Sequence, residues 1–495
     1  MKKHKYEIAI FIIEALCMTL ELVASRILSP YFGNTNIVWT SVIGIILLSS
    51  SLGNYIGGRI ADKNNCEKKL KINLMLSAVF ILIIPIIQKY FLDFISNLIN
   101  NVKIGAIIST VILFFVPSTL LGTVIPIILK LKLNTLEEAG KTTGRIYAIS
   151  TLGGLFGTFL SGFVLIPNLG CVEILFIISI LLTLISLFIY IKLDKIIICF
   201  TILLILLNTV LFVFYFNKNN SFGDEILNGQ KDATISIDTQ YGRALIYNTS
   251  FNNKNTRFLK MDNGYESATY TDKGLEYELV AKYTKDYDLM FKSANEINNV
   301  LMIGGAGYSY PKYYISHYKD KKMDVVEIDS KITEIAKKYF YLDKLIEEYD
   351  INNNHRLNLI HEDGRTYLNN NKIKYDAILN DAFSGEKPAQ TLTTIENIRN
   401  IKNSLNDNGL YLTNILSSLE GEKALFLKEE VNTLKQVFKN VYVIPCNKYY
   451  NKKEIQNVIV ISTDQSIKFE NTYNLSIDKD ELILTDNYCP IDNLV

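Results

Sequence analysis

The first 217 residues alternate long apolar runs with short charged ones, and the pattern ends at Asn217. A bilayer-spanning helix needs about 17–25 mostly apolar residues. Seven stretches meet that need: about 8–28, 38–57, 72–88, 104–128, 147–166, 172–191 and 196–216. They predict an α-helical multi-pass membrane domain over 1–217. A secretory signal supplies one short apolar core and stops, so it does not account for the series.

Beyond Asn217 the pattern changes twice. Residues 233–249 ("ATISIDTQYGRALIYNT") and 256–261 read as strands around polar turns, a small β-rich lead-in over 218–298. From Asn299, strands at 300–304, 323–328, 357–361, 376–380 and 409–415 alternate with helices near 311–318, 330–340 and 391–405. That alternation predicts an α/β Rossmann-like domain over 299–495, a parallel sheet with helices on both faces. Ligands of such sheets bind outside the carboxyl ends of the strands.

Charge adds an orientation. The net charge is +1, which favours neither nucleic acid nor an acidic partner. Lysines and arginines collect in alternate membrane loops. Lys2, Lys3, Lys5, Arg59, Lys63, Lys68, Lys69, Lys71, Lys130, Lys132, Lys141, Arg145, Lys192 and Lys195 fall on one side, whereas Lys89 and Lys103 fall on the other. The basic side is the cytoplasmic one, so the N-terminus is expected there. Seven spans then put the rest of the chain outside, and the side of the soluble domain stays open.

Inside the spans, Glu14 and Glu21 share one face of the first helix. They read either as a polar path or as an ion pair with Arg26 near the helix end. Gly153, Gly157 and Ser161 form a small-residue stripe suited to helix packing. "GGRIADK" (57–63) resembles the loop after the second helix of major facilitator transporters, although seven spans are too few for that whole fold. Six scattered cysteines without a CxxC pair disfavour a zinc site or a disulfide scaffold, and the four histidines lack HxxxH spacing, so no metal is expected.

The informative residues fall at successive strand ends. "VLMIGGAGYSYPKYY" runs from a strand into a turn containing Gly304, Gly305 and Gly307. The turn has no P-loop lysine and departs from GxGxxG, which disfavours nucleoside triphosphates and dinucleotides. An adenosyl ligand without a pyrophosphate fits better. Glu327 ends the next strand, "MDVVEID", placed to accept hydrogen bonds from ribose hydroxyls. In "HEDGRTYL", Asp363 is placed to accept from an adenine amino group and Gly364 to let the backbone approach the ring. In "YDAILNDAFSGE", Asp381 faces the same crevice. Each acid taken singly is as well explained by a solvated loop or a helix cap.

These four motifs occur in the order and spacing of the spermidine synthase (polyamine aminopropyltransferase) family, which the chain resembles over about 233–465. "ELVASRILSPYFG" (21–33), "GRIYAISTLGGLFG" (144–157) and "LTDNYCPIDNL" (484–494) extend the resemblance to membrane-fused spermidine-synthase-like proteins. The resemblance implies a class I methyltransferase-like form of the Rossmann domain. It also implies aminopropyl transfer from decarboxylated S-adenosylmethionine to a diamine or related amine. Gly304, Gly305, Gly307, Glu327, Asp363 and Gly364 would then bind the donor, with Asp381 as general base. Tyr277 in "LEYELV", Glu266 in "NGYESATY" and Ser384 would line the amine site. Two positions depart from the family: Gly307 replaces an acid of its GGGDGG turn, and Ser384 replaces the second acid of its DSSDP loop. Unpaired buried ammonium groups are expensive, so the two losses weaken a site built for a polycation. The alternatives are a methyltransferase using S-adenosylmethionine, or a non-catalytic nucleoside- or polyamine-sensing or transport-associated membrane protein. The partners expected are the lipid bilayer and a small-molecule amine, without nucleic acid; a homo-oligomer is left open.

Overall fold

The computed structural model describes residues 4–33, 36–63, 65–99, 101–133, 135, 137–189, 195–227, 233–262, 264–384, 387–447, 451–477 and 481–494. Lys2, Lys3 and Lys192, counted above for orientation, lie outside these residues, as do the side chains of Lys195 and Ser384. The chain forms two compact units: Met1–Asp224 with Ser236–Ala244, and Glu225–Ile235 with Leu245–Val495.

The first unit is helical. Its elements are α1 (Lys5–Phe32), α2 (Asn36–Ala61), α3 (Cys66–Leu98), α4 (Val102–Gly122) and α5 (Val124–Lys132), followed by α6 (Ala139–Leu160), α7 (Ile166–Asn168), α8 (Cys171–Ile189) and α9 (Lys195–Leu227). A five-residue π turn, Ser161–Leu165, joins α6 to α7. Six helices are long and apolar enough to cross a membrane, α4–α5 and α6–α7 each counting as one; Cys199–Phe214 in α9 is a shorter apolar stretch among the described residues. The small-residue stripe is where α6 meets α1. A Cβ on Gly153 would lie 2.2 Å from the Phe11 carbonyl oxygen, and one on Gly157 would lie 2.2 Å from that of Ala15. Ser161 continues the contact by donating to Thr19 Oγ1 at 2.7 Å.

Basic residues gather at one end of this unit. Lys5 pairs with Glu67, and its Nζ also donates to the Ile189 carbonyl at 3.1 Å. Lys132 and Arg145 approach Glu7 at 3.1 and 3.5 Å. The other end holds Ser236–Ala244. Arg26, near the end of α1, donates to the Thr239 carbonyl at 3.4 Å. Asp238 accepts from the Cys171 N–H at the start of α8, at 2.7 Å, and pairs with Arg243 at 2.9 Å. Of the two readings of α1, the ion pair with Arg26 is not formed among the described residues. Arg26 is turned to Thr239, and among the described residues neither half-buried glutamate, Glu14 or Glu21, has a hydrogen-bond or ion-pair partner.

Two main sheets follow, of which the larger lies wholly in the second unit. Strands β1 (Thr234–Asp238), β2 (Arg243–Phe251), β3 (Lys254–Met261) and β4 (Gly264–Tyr270) form the lead-in sheet in sequence order. The larger sheet comprises β5 (Asn299–Ile303), β6 (Lys322–Glu327), β7 (Leu357–His361), β8 (Tyr375–Asn380), β11 (Leu405–Ser417), β12 (Asn440–Pro445) and β13 (Gln456–Thr463). Its order is β12-β13-β11-β8-β5-β6-β7. Two-residue strands β9 (Phe383–Ser384) and β10 (Lys387–Pro388) form a small hairpin after β8. Strands β5, β6, β7, β8 and β11 are mutually parallel, which brings the Rossmann-like expectation into view. The sheet is not wholly parallel, because β13 runs against β11 and β12 against β13. Central strands β5 and β8 are almost continuously buried, as strands covered on both faces require. The register pairs Ile303 with both Val326 and Asn380, and Glu327 with His361, so the strand ends β5 to β8 are level.

Candidate active site

The β5 turn is built by backbone demands. Gly304 has φ +93°, and a Cβ there would meet the Asp381 carbonyl oxygen at 2.6 Å, so glycine is needed for both conformation and approach. Glu327 holds the turn from the neighbouring strand. Its Oε2 accepts from the N–H groups of Gly305 and Ala306, each at 2.9 Å, and its Oε1 accepts from the Asp329 N–H at 3.0 Å. Burial raises the Glu327 pKa, and these three N–H bonds oppose the rise. Gly307 is buried. A Cβ there would lie 2.6 Å from Ser267 Oγ, which is itself hydrogen-bonded to Ser309 Oγ at 2.7 Å. The Ser267 and Phe340 side chains therefore crowd any side chain at position 307.

Asp381 follows β8 directly, and its N–H donates to the Ile303 carbonyl at 2.9 Å. Tyr283 O–H donates to its Oδ2 at 3.1 Å, and Asn414 Nδ2 donates to its Oδ1 at 2.9 Å. Asn457 in turn donates to Asn414 Oδ1 at 3.1 Å, which fixes the Asn414 amide with its NH₂ toward Asp381. Burial pushes the Asp381 carboxyl upward, while the bonds from Asn414 and Tyr283 pull the other way. Glu266 on β4 is pushed up to about 8 by burial, then by the charges of Asp381 and Glu327. A cavity of about 1150 Å³ is bounded by Gly304, Gly305, Ala306, Glu266, Tyr283 and Asp381, among others. One wall can therefore take a proton, beside a glycine turn able to approach a flat ligand closely.

Other expected residues lie apart from the described cavity lining. Asp363 caps the helix Gly364–Asn370, accepting from the Thr366 N–H at 2.9 Å. Gly364 is packed on Ile303, whose Cγ2 would lie 2.7 Å from an added Cβ. Tyr277 is a correction: its O–H donates to Glu348 Oε2 at 2.6 Å, away from Asp381. The tyrosine at Asp381 is Tyr283, on the 3₁₀ helix Lys282–Lys292. Its signal was the pair Tyr283 and Tyr287 in "KYTKDYDLM", which a strand-end search passes over. Asn414 and Asn457 had none, because two asparagines 43 residues apart meet only through the pairing of β11 with β13. Ser384 belongs to β9 by its backbone, and its side chain is outside the described ones.

Residues 286–471 match the family model described as a spermine/spermidine synthase domain. Among curated proteins, the chain is similar to the polyamine aminopropyltransferase of Methanocaldococcus jannaschii, 32% identical over 175 residues. The match covers 35% of this chain and 51% of that protein, so the chain spans about half the length of this relative. It is also similar to polyamine aminopropyltransferase 2 of Aquifex aeolicus, 24% identical over 398 residues, covering 77% of this chain and 73% of the other. Among solved structures, the probable spermidine synthase of Corynebacterium glutamicum is matched with 19% identity and a TM-score of 0.40, over 47% of this chain and 81% of that one. The synthase domain so matched contains Asp381, Tyr283's helix from Asp286 onward, and the glycine turn; Glu266 lies before it.

Proposed function

We propose that this protein is a membrane-anchored aminopropyltransferase. Its donor would be decarboxylated S-adenosylmethionine, and its acceptor a diamine or related amine. The observation that carries this reading is Asp381, held by Tyr283 and Asn414 in the cavity wall beside Gly304. An amine attacks only as the neutral base. Its nitrogen lone pair forms the bond to the carbon beside the sulfonium, that C–S bond breaks with its electron pair going to sulfur, and methylthioadenosine leaves. The proton lost by nitrogen goes to an Asp381 oxygen and then to solvent. A carboxyl raised by burial is the better base for this transfer. Alignment of donor and acceptor in one cavity supplies much of the remaining rate. Glu327 Oε1 accepts a single backbone bond, which leaves it a lone pair for one ribose hydroxyl. Asp363 and Gly364 would meet the adenine, and Glu266 the amine.

The test is release of methylthioadenosine by the full-length chain given donor and amine. Asp381→Asn should lower turnover by roughly 10²–10⁴-fold and leave methylthioadenosine binding within a few-fold. Intact turnover in that variant would remove Asp381 from the base role. A second reading, methyl transfer from S-adenosylmethionine, is favoured by the packing of Gly307 on Ser267, which leaves no carboxylate there for an aminopropyl ammonium. Release of S-adenosylhomocysteine instead of methylthioadenosine would select it.

A further inference from the structure

Resting on that reading, we propose that the turn at 485–488 is a positioning element of the donor site, with Asp486 as the positioning residue of its adenine side. The turn lies in "LTDNYCPIDNL" (484–494) and closes on itself. The Thr485 N–H donates to the Tyr488 carbonyl and the Tyr488 N–H to the Thr485 carbonyl, each at 3.1 Å. Asp486 stands at the corner and joins two other segments. Its Oδ2 accepts from Arg365 Nη2 at 2.7 Å, and its Oδ1 from Arg365 Nη1 at 3.3 Å. The same Oδ1 accepts from Thr394 Oγ1 at 2.6 Å, and the Asp486 N–H donates to Glu396 Oε2 at 2.9 Å. A forked guanidinium on a carboxylate fixes direction as well as distance. Arg365 directly follows Asp363 and Gly364, the pair assigned to the adenine.

A second set of ties runs to the segment that follows Asp381. The Cys489 carbonyl accepts from Gln390 Nε2 at 2.9 Å, and the Leu484 carbonyl from the Ile395 N–H at 2.8 Å. That N–H opens the helix Ile395–Ser404, whose cap residue Thr394 spends its hydroxyl on Asp486, so the Leu484 carbonyl supplies the partner that a helix start needs. Between these ties lies Leu392, whose Cδ2 and Cδ1 would be 3.5 and 3.6 Å from a Cβ on Gly364. The Ala389 N–H returns to the carbonyl of Ala382, the residue after Asp381, at 3.3 Å. Leu484, Cys489 and Ile491 are buried in the same core as Ile303 and Leu392. One turn thus backs both the Asp363–Gly364 backbone and the segment leaving Asp381. A small displacement of such a support is costly where two substrates have to be aligned.

The experiment measures methylthioadenosine binding and steady-state kinetics on the full-length, detergent-solubilised chain. Asp486→Ala should weaken methylthioadenosine binding and raise the donor KM by roughly ten-fold, as expected for loss of a charged hydrogen-bonded pair, with the amine KM unchanged. An unchanged donor KM, or an equal rise in both KM values, would overturn the proposal. Thr394→Val keeps the side chain's shape and removes only its hydroxyl; it should move the donor KM in the same direction by a smaller factor, and it serves where Asp486→Ala does not fold. Amide hydrogen exchange on the unliganded chain gives a readout independent of turnover. Either variant should speed exchange in the helix Gly364–Asn370 and leave the turn at 304–307 unchanged. Equal speeding at both places, or none at either, would also overturn the proposal. A parent chain that binds no methylthioadenosine would count against aminopropyl transfer itself, and the exchange comparison would still decide the role of Asp486.

Discussion

Asp381 is a carboxylate whose basicity is set by neighbours, and its two donors act in a direction that can be read from a rate profile. Tyr283 O–H stabilises the ionised form, so Tyr283→Phe should raise the Asp381 pKa and move the acid limb of kcat/KM to higher pH. Loss of one hydrogen bond to a charged group predicts that kcat/KM falls more at acid pH than at pH 9. A uniform fall across pH would mean that Tyr283 only packs. Glu266 gives a stability signature. The folded carboxyl stays protonated to about 8, against 4.5 for its ordinary value. Between those values the folded state holds the extra proton, so the stability tied to Glu266 is complete at low pH and is lost as pH rises through about 8. Glu266→Gln cannot ionise; its melting temperature relative to the parent should therefore rise from pH 5 to pH 9. An equal difference at both pH values would remove Glu266 as the source of that dependence.

At the scale of elements, close backbone approach separates glycines that matter from those that do not. Gly157 and Gly144 lie on the same helix, α6. At Gly157 an added Cβ would strike the Ala15 backbone, whereas at Gly144 it would meet nothing within 4 Å. Gly157→Ala should force α1 and α6 apart and cost about 1–3 kcal/mol, seen as a lower melting temperature in detergent. Gly144→Ala should be neutral or up to about 1 kcal/mol stabilising, through helix propensity. Equal behaviour of the two variants would deny the α1–α6 contact. Elements differ likewise in how legible they are. β5 and β8 announce themselves as short apolar runs between turn residues, because both faces are covered. β11 was expected at 409–415 but extends to Ser417, because antiparallel partner β13 pairs with it along Leu410–Ser417. The helix expected over 391–405 is divided into Gln390–Thr393 and Ile395–Ser404.

At the scale of the whole molecule, helix count decides topology. The end of α8 lies beside Lys5 at the basic end of the helical unit, while Ser236–Ala244 is held at the other end by Arg26 and Cys171. A crossing by α9, whose described apolar stretch is shorter than those of the six helices long enough to span, would make the number of crossings odd. Reporters fused before Met1 and after Val495 should consequently read opposite sides of the membrane, the N-terminal one cytoplasmic by its lysines. Reporters reading the same side would reduce the crossings to an even number. With opposite sides, a donor made in the cytoplasm reaches Asp381 only after crossing the bilayer.

By itself the sequence determined the division into a part of long apolar helices and an α/β part, because apolar run length and strand–helix alternation are local properties of the chain. It also placed Gly304, Glu327 and Asp381 at the ends of strands whose order it could trace. Only the tertiary structure decided that Tyr283, and not Tyr277, reaches Asp381, and that Asn414 and Asn457 orient it. It likewise decided that Gly307 is walled in by Ser267, and that Arg26 turns to Thr239 instead of Glu21. Each of these depends on which side chains two distant segments bring within a few ångströms. Periodicity reports the face on which a residue lies, but the partner across that face is set by packing.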